Sequence, residues 1–438
     1  MAKLWSTGKE AASEEVSRRV EQFTVGNDHL LDRELLPWDL KASAIHAEAL
    51  SDAGVLSKKE LTDLKKGLEE IGRLWESGRF EILPEYEDGH TAIEVWLTEK
   101  LGEAGRKIHT GRSRNDQVLT AMRLYEKHKL SEILKQTAGL AEDLLKAGSD
   151  HSGIPMPGFT HTRRAMLSSV GQWAGGYAEL LILQLEASAG VASLTDRSPL
   201  GTAAGFGTTF DLDRTREAES LGFRGPLICA TTAQLSRGWV ELQLVDYLAA
   251  ITLVLNRFAS DVITFSSEAY GYFELDEAVC TGSSIMPQKR NPDLAELIRG
   301  KHSLITGYAA TLRSLVQQLG SGYHRDLQLS KEPVIRVFSV AEEMIDATRL
   351  LLEHTRFNAK VLTAACSSDI QAAEAANRLV REEGLSFREA YLRVKEGGES
   401  GSDSNPADLL KEYSQLGSPG NPGLELLSER LKRFSIRS

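Results

Sequence analysis

Three polar segments of this sequence contain residue types that could do chemistry. The first, residues 109–117 (HTGRSRNDQ), has no apolar side chain over nine residues. Its two arginines could hold carboxylates through paired hydrogen bonds, and Ser113 and Asn115 would add neutral donors at the start of a helix. The plainer interpretation is a solvated loop in which Asn115 or Asp116 caps that helix. The segment therefore indicates an anion site or a helix cap.

The second segment is Gly158-Phe159-Thr160-His161, which follows a loop rich in proline and glycine. Thr160 supplies a hydroxyl donor, and His161 supplies a group that titrates near neutral pH. We expect both at the entrance of a helix. A capping or packed histidine is the alternative interpretation of this segment.

The third segment, residues 281–293 (TGSSIMPQKRNPD), has Glu296 one helical turn further on. Its serines lie between glycine and proline, close to Lys289 and Asn291. This composition indicates an oxygen-rich flap that could close on a substrate. A long surface linker that ends one helix and begins another is the alternative interpretation.

A fourth polar cluster comprises residues 323–328 (YHRDLQ) and Lys331. On composition alone it could be a solvated face. The sequence has no phosphate-binding loop, no dinucleotide fingerprint, no metal-ligand spacing and no nucleophile elbow. We therefore expect a reaction that uses neither a cofactor nor a metal.

The elements that must position these segments are mostly helices. From Ser236 to Glu268 apolar residues recur every three or four positions, which predicts a buried helix of about eight turns. Long helices are also predicted over Asp116–Ala147 and Arg163–Ser188, and a last one near 423–434. Residues 397–422 have the composition of a surface loop. Strand signals are weak, so the predicted fold is mainly α with a central bundle of long helices.

Composition narrows the class of protein. The 438 residues carry a net charge of −11, which disfavours a general nucleic-acid binder because gripping phosphates needs surplus cations. The three cysteines are widely spaced, as in a reducing compartment. The N-terminus has no apolar signal region, and no apolar run approaches a membrane span. We therefore expect a soluble cytoplasmic protein with no membrane partner.

Residues 281–293 closely resemble the signature of the fumarase/aspartase superfamily, whose members release fumarate by β-elimination. Residues 109–117 resemble the hallmark of its argininosuccinate lyase branch. The resemblance continues in order through segments that cover essentially the whole chain: EDGHTAIE, PGFTH, SPLGTAAG, SRGWVE, YHRDLQ and GLSFREAY. Six or more such motifs in family order are specific evidence for this branch.

The resemblance implies a homotetramer with a twenty-helix core, to which each subunit gives five long helices. It also implies three domains: a helical domain over 1–110, a central bundle over 111–360 that carries the flap at about 278–294, and a small helical domain over 361–438. Each active site would use loops from three subunits. The implied substrate is a small molecule, argininosuccinate, which is cleaved reversibly to arginine and fumarate in the last step of arginine biosynthesis.

Motif position also implies roles in catalysis. Ser283 would be the general base, and Lys289 and Asn291 would bind the carboxylate that gains negative charge. A serine hydroxyl is a weak base, so it would need nearby positive charge and exclusion of water. His161, paired with Glu296, would serve in acid catalysis or in orienting the acid.

The remaining residues implied by the resemblance bind the substrate. The fumarate-side carboxylates would be held by Thr160, Ser113, Arg114 and Asn115. The rest of the pocket would be lined by Arg237, Tyr323, Gln328 and Lys331. Asp88 and Asp32 would be partners for the cationic, arginine-like end.

Three positions depart from the commonest family pattern. Ile93 replaces an asparagine, Arg163 replaces a glutamine, and His324 replaces an asparagine. None removes an implied catalytic residue, but together they leave the amine half of the substrate open. The alternatives are therefore another fumarate-releasing lyase with a different amine, and a crystallin-like structural homologue.

Overall fold

The computed structural model of the protein describes residues 14–397 and 405–437, and helices dominate this part of the chain. The α-helices are α1 Glu14–Val25, α2 Asp28–Asp52, α3 Lys58–Glu76, α4 Gly89–Leu101, α5 Glu103–Lys107, α6 Arg114–Asp150, α7 Val170–Thr195, α8 Arg214–Leu221, α9 Thr231–Ser236, α10 Trp239–Ser266, α11 Asp293–Val316, α12 Lys331–Glu353, α13 Ala359–Ala365, α14 Ala372–Glu383, α15 Phe387–Lys395, α16 Pro406–Leu410 and α17 Leu424–Arg437. Short 3-10 helices cover Pro84–Tyr86, Glu277–Val279, Arg325–Ser330 and Ser368–Gln371.

Six short strands form three separate two-stranded antiparallel sheets in the described residues. The strands are β1 Pro155–Thr160, β2 Arg163–Ser169, β3 Phe273–Leu275, β4 Thr281–Gly282, β5 Arg290–Asn291 and β6 Thr355–Phe357. They pair as β1 with β2, β3 with β6, and β4 with β5. The prediction of a mainly α fold is confirmed.

The chain divides into two compact units. The first comprises the described residues up to Lys129 together with Ala192–Gln243 and Ala310–Arg336. The second comprises Leu130–Val191, Leu244–Ala309 and the described residues from Val337 onward. The division into three domains suggested by the family resemblance stays a prediction.

Helices α2, α3 and α4 pack on one another in the first unit. Helix α3 begins with a capping box, in which Ser57 and Glu60 bond each other's backbone N–H groups. A Cβ on Gly67 of α3 would lie 2.7 Å from Leu97 of α4, so glycine permits the close approach of these helices. The core between them holds fully buried side chains such as Leu64 and Ile93. This packing positions the start of α4, which carries part of the candidate site.

The second unit is built around an aromatic cluster. The rings of Trp173 and Phe258 stack with their centres 5.4 Å apart, and Phe273 packs edge-on against Trp173. The carboxylate of Asp261 accepts hydrogen bonds from the Trp173 indole and the Tyr177 hydroxyl. These contacts hold α7, α10 and the β3–β6 sheet of this unit together.

The predicted long helices are partly confirmed. The structure has α10 where a helix was predicted over Ser236–Glu268, and α6 where one was predicted over Asp116–Ala147. The helix predicted over Arg163–Ser188 is wrong in its first seven residues, which form β2, so that α7 begins at Val170. Prolines at 155 and 157 favour extended backbone in β1, and the chain then folds back to pair with it.

Thr160 and His161 are therefore not at a helix entrance. Thr160 ends β1 opposite Arg163, and His161 and Thr162 form the two-residue turn between the strands. Both turn residues have positive φ, 51° and 60°, the arrangement of a type I′ hairpin turn. This conformation strains residues with a Cβ, and it places His161 at an exposed tip.

The last helix, α17, confirms the helix predicted near 423–434. The loop predicted over 397–422 is interrupted by α16, in which Asn405 caps the first turn and proline occupies the first helical position. Residues 398–404 of that predicted loop lie outside the described residues. The cap and proline therefore mark a short helix that composition alone did not predict.

Two apolar helical stretches are long enough to cross a membrane by length and composition alone. They are Val170–Thr195 and Thr231–Ser266. In the most apolar window of the first stretch, 33 % of the residues are buried inside the structure. In the corresponding window of the second stretch, 50 % are buried. Because core helices of soluble proteins also meet these criteria, they do not establish a membrane segment.

Candidate active site

A cleft in the first unit has a wall made mostly of charged and polar side chains. The wall comprises Val25, Asp28, Glu87, Asp88, His90, Arg114, Asn115, Val118, Arg237, Tyr323, Arg325, Gln328 and Lys331. These residues come from segments far apart in the sequence. The cleft is therefore a product of the tertiary fold.

Much of this wall is built from the first residues of helices. Asp28 begins α2, Asp88 caps α4, Arg114 begins α6 and Lys331 begins α12. The N-terminus of a helix carries partial positive charge and unpaired backbone N–H groups, which favour anions. This construction suits a ligand with carboxylates.

Arg114 is held by two neighbouring carboxylates. Its Nη1 lies 3.1 Å from Glu87 Oε2 and 3.1 Å from Asp88 Oδ2, and its Nη2 donates to Thr91 Oγ1 at 2.8 Å. Glu87 has a positive φ of 68°, an uncommon conformation for a residue with a Cβ. The guanidinium group is thus fixed in direction while it remains on the wall of the cleft.

His90 is a buried imidazolium between two aspartates. Its Nδ1 lies 2.9 Å from Asp39 Oδ2, and its Nε2 lies 3.3 Å from Asp88 Oδ2. Burial alone would lower the histidine pKa, but the two carboxylates raise the pKa of His90 to about 10. Gln117 donates to the other oxygen of Asp39 at 2.9 Å. His90 therefore carries a positive charge at neutral pH.

Lys331 is shared by two carboxylates. Its Nζ lies 2.6 Å from Asp32 Oδ1 and 3.1 Å from Asp28 Oδ2. Burial opposes the charged form, but the two aspartates raise the pKa of Lys331 above its ordinary value. The second oxygen of Asp32 accepts the backbone N–H of Gly89 at 2.9 Å. These bonds tie the start of α12 to α2 and to the start of α4.

One side of the cleft combines an aromatic ring with donors. The guanidinium carbon of Arg237 lies 5.2 Å from the centre of the Tyr323 ring, a cation–π contact. Gln328 donates to the carbonyl of Thr24 at 3.0 Å, and Arg325 donates to the same carbonyl at 2.8 Å. The 3-10 helix Arg325–Ser330 is thereby attached to the end of α1.

Helix α6 is capped at its start, but the capping residue is neither Asn115 nor Asp116, the two candidates that the sequence suggests. Ser113 Oγ accepts the backbone N–H of Asn115, and Asp116 Oδ1 accepts the backbone N–H of Ser113 at 2.9 Å. Ser113 is therefore the capping residue, and α6 begins at Arg114. Asp116 Oδ2 also accepts the N–H groups of Gly201 and Ala203, which fixes this loop against the segment around residue 202.

The flap residues and the hairpin residues belong to the second unit. Ser283 lies between β4 and β5, whose pairing closes the base of the flap, and its Oγ accepts the N–H of Met286 at 3.1 Å. Lys289 is exposed and Asn291 is half-buried in β5. Glu296 lies exposed in the first turn of α11. Lys289 and Glu296 are therefore exposed within this unit, whereas Ser283 and Asn291 are half-buried.

The sequence-predicted residues thus fall into two groups. Seven line the cleft: Asp88, Arg114, Asn115, Arg237, Tyr323, Gln328 and Lys331. Ser113 and Asp32 belong to the same unit, and Asp32 lines a smaller cavity beside the cleft. The second unit contains Thr160, His161, Ser283, Lys289, Asn291 and Glu296.

Sequence reasoning missed four charged residues on the wall of the cleft. They are Asp28, Glu87, His90 and Arg325. The family-like segment EDGHTAIE contains Glu87 and His90, so their position beside Asp88 was a usable signal. No comparable sequence pattern marks Asp28 as a site residue, because its position in the cleft depends on a tertiary contact with Lys331.

The three departures from the family pattern also have places in the structure. Ile93 is 2 % exposed and packs in the core between α2, α3 and α4. Arg163 is exposed at the start of β2, and His324 is exposed immediately before the 3-10 helix Arg325–Ser330. Ile93 is therefore a packing residue and does not line the cleft.

Among the histidines, cysteines and acids of the described residues, no group of three is arranged to hold a metal ion. The cysteines Cys229, Cys280 and Cys366 are free thiols. The wall of the cleft supplies carboxylates, cations, amides and a phenol.

Comparisons of the sequence with protein-family models and with individual proteins both match lyases. A family model described as Lyase matches residues 11–307. The chain is 40 % identical to the argininosuccinate lyase of Stenotrophomonas maltophilia (strain R551-3) over 96 % of this chain and 97 % of that protein. It is also 40 % identical to the argininosuccinate lyase of Thermotoga neapolitana, over 90 % of this chain and 98 % of the relative.

Solved structures support the same fold. EDDS lyase in complex with formate matches with a TM-score of 0.78 and 20 % identity, covering 98 % of this chain and 92 % of that one. Class II fumarase from Schistosoma mansoni matches with a TM-score of 0.71 and 17 % identity, covering 90 % and 95 %. At these identities the likeness shows the fold of the superfamily. The match to the family model and the nearly full-length sequence identity show that the chain is a lyase that belongs to the argininosuccinate lyase family.

Proposed function

We propose that this enzyme cleaves argininosuccinate reversibly to arginine and fumarate. The observation that carries the proposal is the cleft that gathers Arg114, Asn115, Tyr323, Gln328 and Lys331 in one place. Relatives named argininosuccinate lyase, 40 % identical over nearly the whole chain, support the identity of the substrate. The proposed reaction needs neither a cofactor nor a metal.

The chemical difficulty of the reaction is the removal of a weakly acidic proton beside a carboxylate. The intermediate carries a second negative charge on that carboxylate, so fixed donors and cations must stabilise it. Lys289 and Asn291 of the flap would do so, while Ser113, Arg114, Asn115 and Thr160 would hold the fumarate-side carboxylates. The helix starts of the cleft favour such anions.

Two further roles are needed for elimination. Ser283 would take the proton as general base, because the closed flap would surround its hydroxyl with positive charge and exclude water. His161, oriented by Glu296, would protonate the departing guanidinium nitrogen. The strained turn that presents His161 supports this role, since strain is often retained at functional positions.

We propose a homotetramer whose active sites are shared between subunits. Support comes from leucines left exposed on the long helices of the second unit: Leu180, Leu183, Leu253, Leu297 and Leu304. Apolar side chains in rows on long helices suit burial against another copy of the chain. The exposed position of His161 and the half-buried position of Ser283 in the flap suit catalytic groups that one subunit donates to another.

We also propose a cytoplasmic role in arginine biosynthesis, with no membrane or nucleic-acid partner. The net charge of −11 supports the absence of a nucleic-acid partner. Free cysteines are compatible with a reducing compartment.

The test of the proposed reaction is product analysis on the purified enzyme. Argininosuccinate is supplied, and the products are followed by proton NMR. We expect fumarate and arginine in equal amounts. Fumarate without arginine, or no product from an intact tetramer, would contradict the proposal.

A further inference from the structure

Three charged side chains of the first unit form a buried triad that does not line the cleft. Arg123 and Glu126 lie on α6, and Glu241 lies in the first turn of α10. Nη1 of Arg123 lies 2.6 Å from Glu126 Oε2 and 3.3 Å from Glu241 Oε1. All three side chains are at most 2 % exposed. Two carboxylates therefore share one guanidinium group away from solvent, where a charge without a partner is costly.

The two acids of this triad have different second partners. Glu241 Oε2 accepts the backbone N–H of Gly238 at 2.6 Å, the bond that runs from the third residue of a helix to the residue before it. Glu126 is paired with Arg123 within α6. Burial raises the pKa of Glu126 above its ordinary value, Arg123 opposes this rise, and Glu241 adds to it. Glu126 therefore takes up a proton more readily than an ordinary glutamate, whereas Glu241 holds a backbone group.

The bond from Glu241 fixes the backbone next to Arg237. Gly238 has a positive φ of 79°, and a Cβ there would lie 2.4 Å from Val316. The turn between α9 and α10 therefore needs glycine and is tightly packed. Arg237 immediately precedes this turn, and its guanidinium lies over the Tyr323 ring on the wall of the cleft. A shift of the turn would move that guanidinium relative to the ring and to a bound ligand.

Resting on the proposed function, in which this cleft binds argininosuccinate, we infer that Glu241 is a positioning residue for Arg237. Arg123 holds the carboxylate of Glu241, and that carboxylate holds the backbone N–H of Gly238. The Arg237 guanidinium is thereby kept in one direction on the wall of the cleft. Glu241 does not line the cleft, so it acts on substrate binding through Arg237.

The variant Glu241→Gln tests the bond to Gly238 without changing the size of the side chain. A carboxylate offers one oxygen to Arg123 and the other to Gly238, whereas an amide has one oxygen and turns its NH2 group toward the second donor. The matched control is Glu126→Gln, which neutralises the other acid of the triad and leaves the bond to Gly238 intact. Argininosuccinate turnover gives kcat and KM for each variant, alone and combined with Arg237→Lys.

Residues that belong to one bonded network couple by roughly tenfold in an equilibrium constant. We therefore expect Glu241→Gln to raise KM roughly tenfold with kcat within about twofold, because a cation on the pocket wall binds ground state and transition state alike. Glu126→Gln should leave both parameters within about twofold of the wild type. In the Arg237→Lys protein, Glu241→Gln should change KM by less than about twofold, because the flexible lysine does not depend on a fixed direction.

Three results overturn the inference. They are an unchanged KM in Glu241→Gln, an equal rise in KM in Glu126→Gln, and a rise in KM that persists in the Arg237→Lys protein. A purely structural role of the triad would give the second or the third result. If Glu241→Gln does not fold, Glu241→Asp takes its place, because it keeps the charge but shortens the reach to Gly238, and the same results decide.

The inference and the proposed function can fail separately. If the folded wild-type enzyme leaves argininosuccinate unchanged, the proposed function fails, and fumarate binding is measured by calorimetry instead. Weaker fumarate binding in Glu241→Gln than in Glu126→Gln, with no such difference in the Arg237→Lys protein, upholds the role of Glu241. Equal binding in the two variants, a difference that persists in the Arg237→Lys protein, or no fumarate binding by the wild-type enzyme overturns it.

Discussion

Nζ of Lys331 lies 2.6 Å from Oδ1 of Asp32, although 299 residues separate the two in the chain. Both side chains are almost fully buried. A buried ion pair is costly to desolvate, and removal of one partner leaves the other charge uncompensated. The pair joins α12 to α2 and sets the position of one wall of the cleft.

We expect Lys331→Gln to lower the free energy of unfolding by about 3 kcal/mol, because two buried carboxylates lose their cation. The matched control is Lys146→Gln, which removes an exposed lysine from a pair with Asp150 within α6 and should cost less than about 1 kcal/mol. Denaturant unfolding at one protein concentration measures both. Equal small effects would mean that the buried pair contributes little to stability.

Ser283→Ala should lower kcat by roughly 10²- to 10⁴-fold, the usual contribution of a general base. The side chain is only partly buried in the flap, so the melting temperature and the oligomeric state should not change. Steady-state kinetics and sedimentation measure these quantities. Activity retained within about tenfold would remove Ser283 as the base.

Mixing two inactive variants tests whether subunits share sites. His161→Asn and Ser283→Ala each remove one catalytic group, but a mixed tetramer would contain some sites with both groups intact. We expect activity to appear after the two proteins are mixed and reassembled. Mixed tetramers that are verified by mass and remain inactive would contradict the shared-site arrangement.

Local sequence pattern was enough to predict the long helices but not the hairpin. The apolar repeat through Leu244, Leu248 and Ile251 is a property of one helix, and α10 follows it closely. The β1–β2 hairpin turns at His161 and Thr162, both at positive φ, where glycine or asparagine is the usual signal. Neither histidine nor threonine is a usual signal for such a turn, so the sequence pattern predicts a helix in the stretch that follows it.

The candidate site shows the same limit. Arg114 and Lys331 were found because they belong to family-like segments. Asp28 was missed because its role depends on the approach of α12 to the start of α2, a tertiary contact that no local pattern encodes. The sequence places Ile93 among the positions that leave the amine half of the substrate open, whereas its side chain packs in the core.

The ionisation of His90 should make stability depend on pH. Its pKa is raised from 6.5 to about 10 in the folded protein, so the folded state binds the proton more tightly than the unfolded state. The stabilisation is fully present below pH 6.5 and is lost as the pH rises toward 10. We expect the difference in unfolding free energy between wild type and His90→Asn to be larger at about pH 6 than at about pH 10. A difference that is constant across this range would show that His90 is not charged in the fold.

Replacing Ile93 by asparagine, the residue usual in the family, should lower the stability of the fold and should not change the substrate specificity. Ile93→Asn removes a buried alkyl group and buries an amide, which should cost about 3 kcal/mol or more. Arg163→Gln, the corresponding change at an exposed position, should leave stability within about 0.5 kcal/mol. Thermal unfolding and KM for argininosuccinate are measured for both variants. A large change in KM with unaltered stability for Ile93→Asn would place that side chain in the substrate pocket.

The elimination of fumarate from argininosuccinate is the central claim, and the rate of fumarate release tests it most directly. The purified enzyme is offered argininosuccinate, aspartate and adenylosuccinate separately, and the ultraviolet absorbance of fumarate is followed. We expect turnover of argininosuccinate alone, abolished in Ser283→Ala. Turnover of aspartate or adenylosuccinate by the folded enzyme, with no turnover of argininosuccinate, would contradict the account.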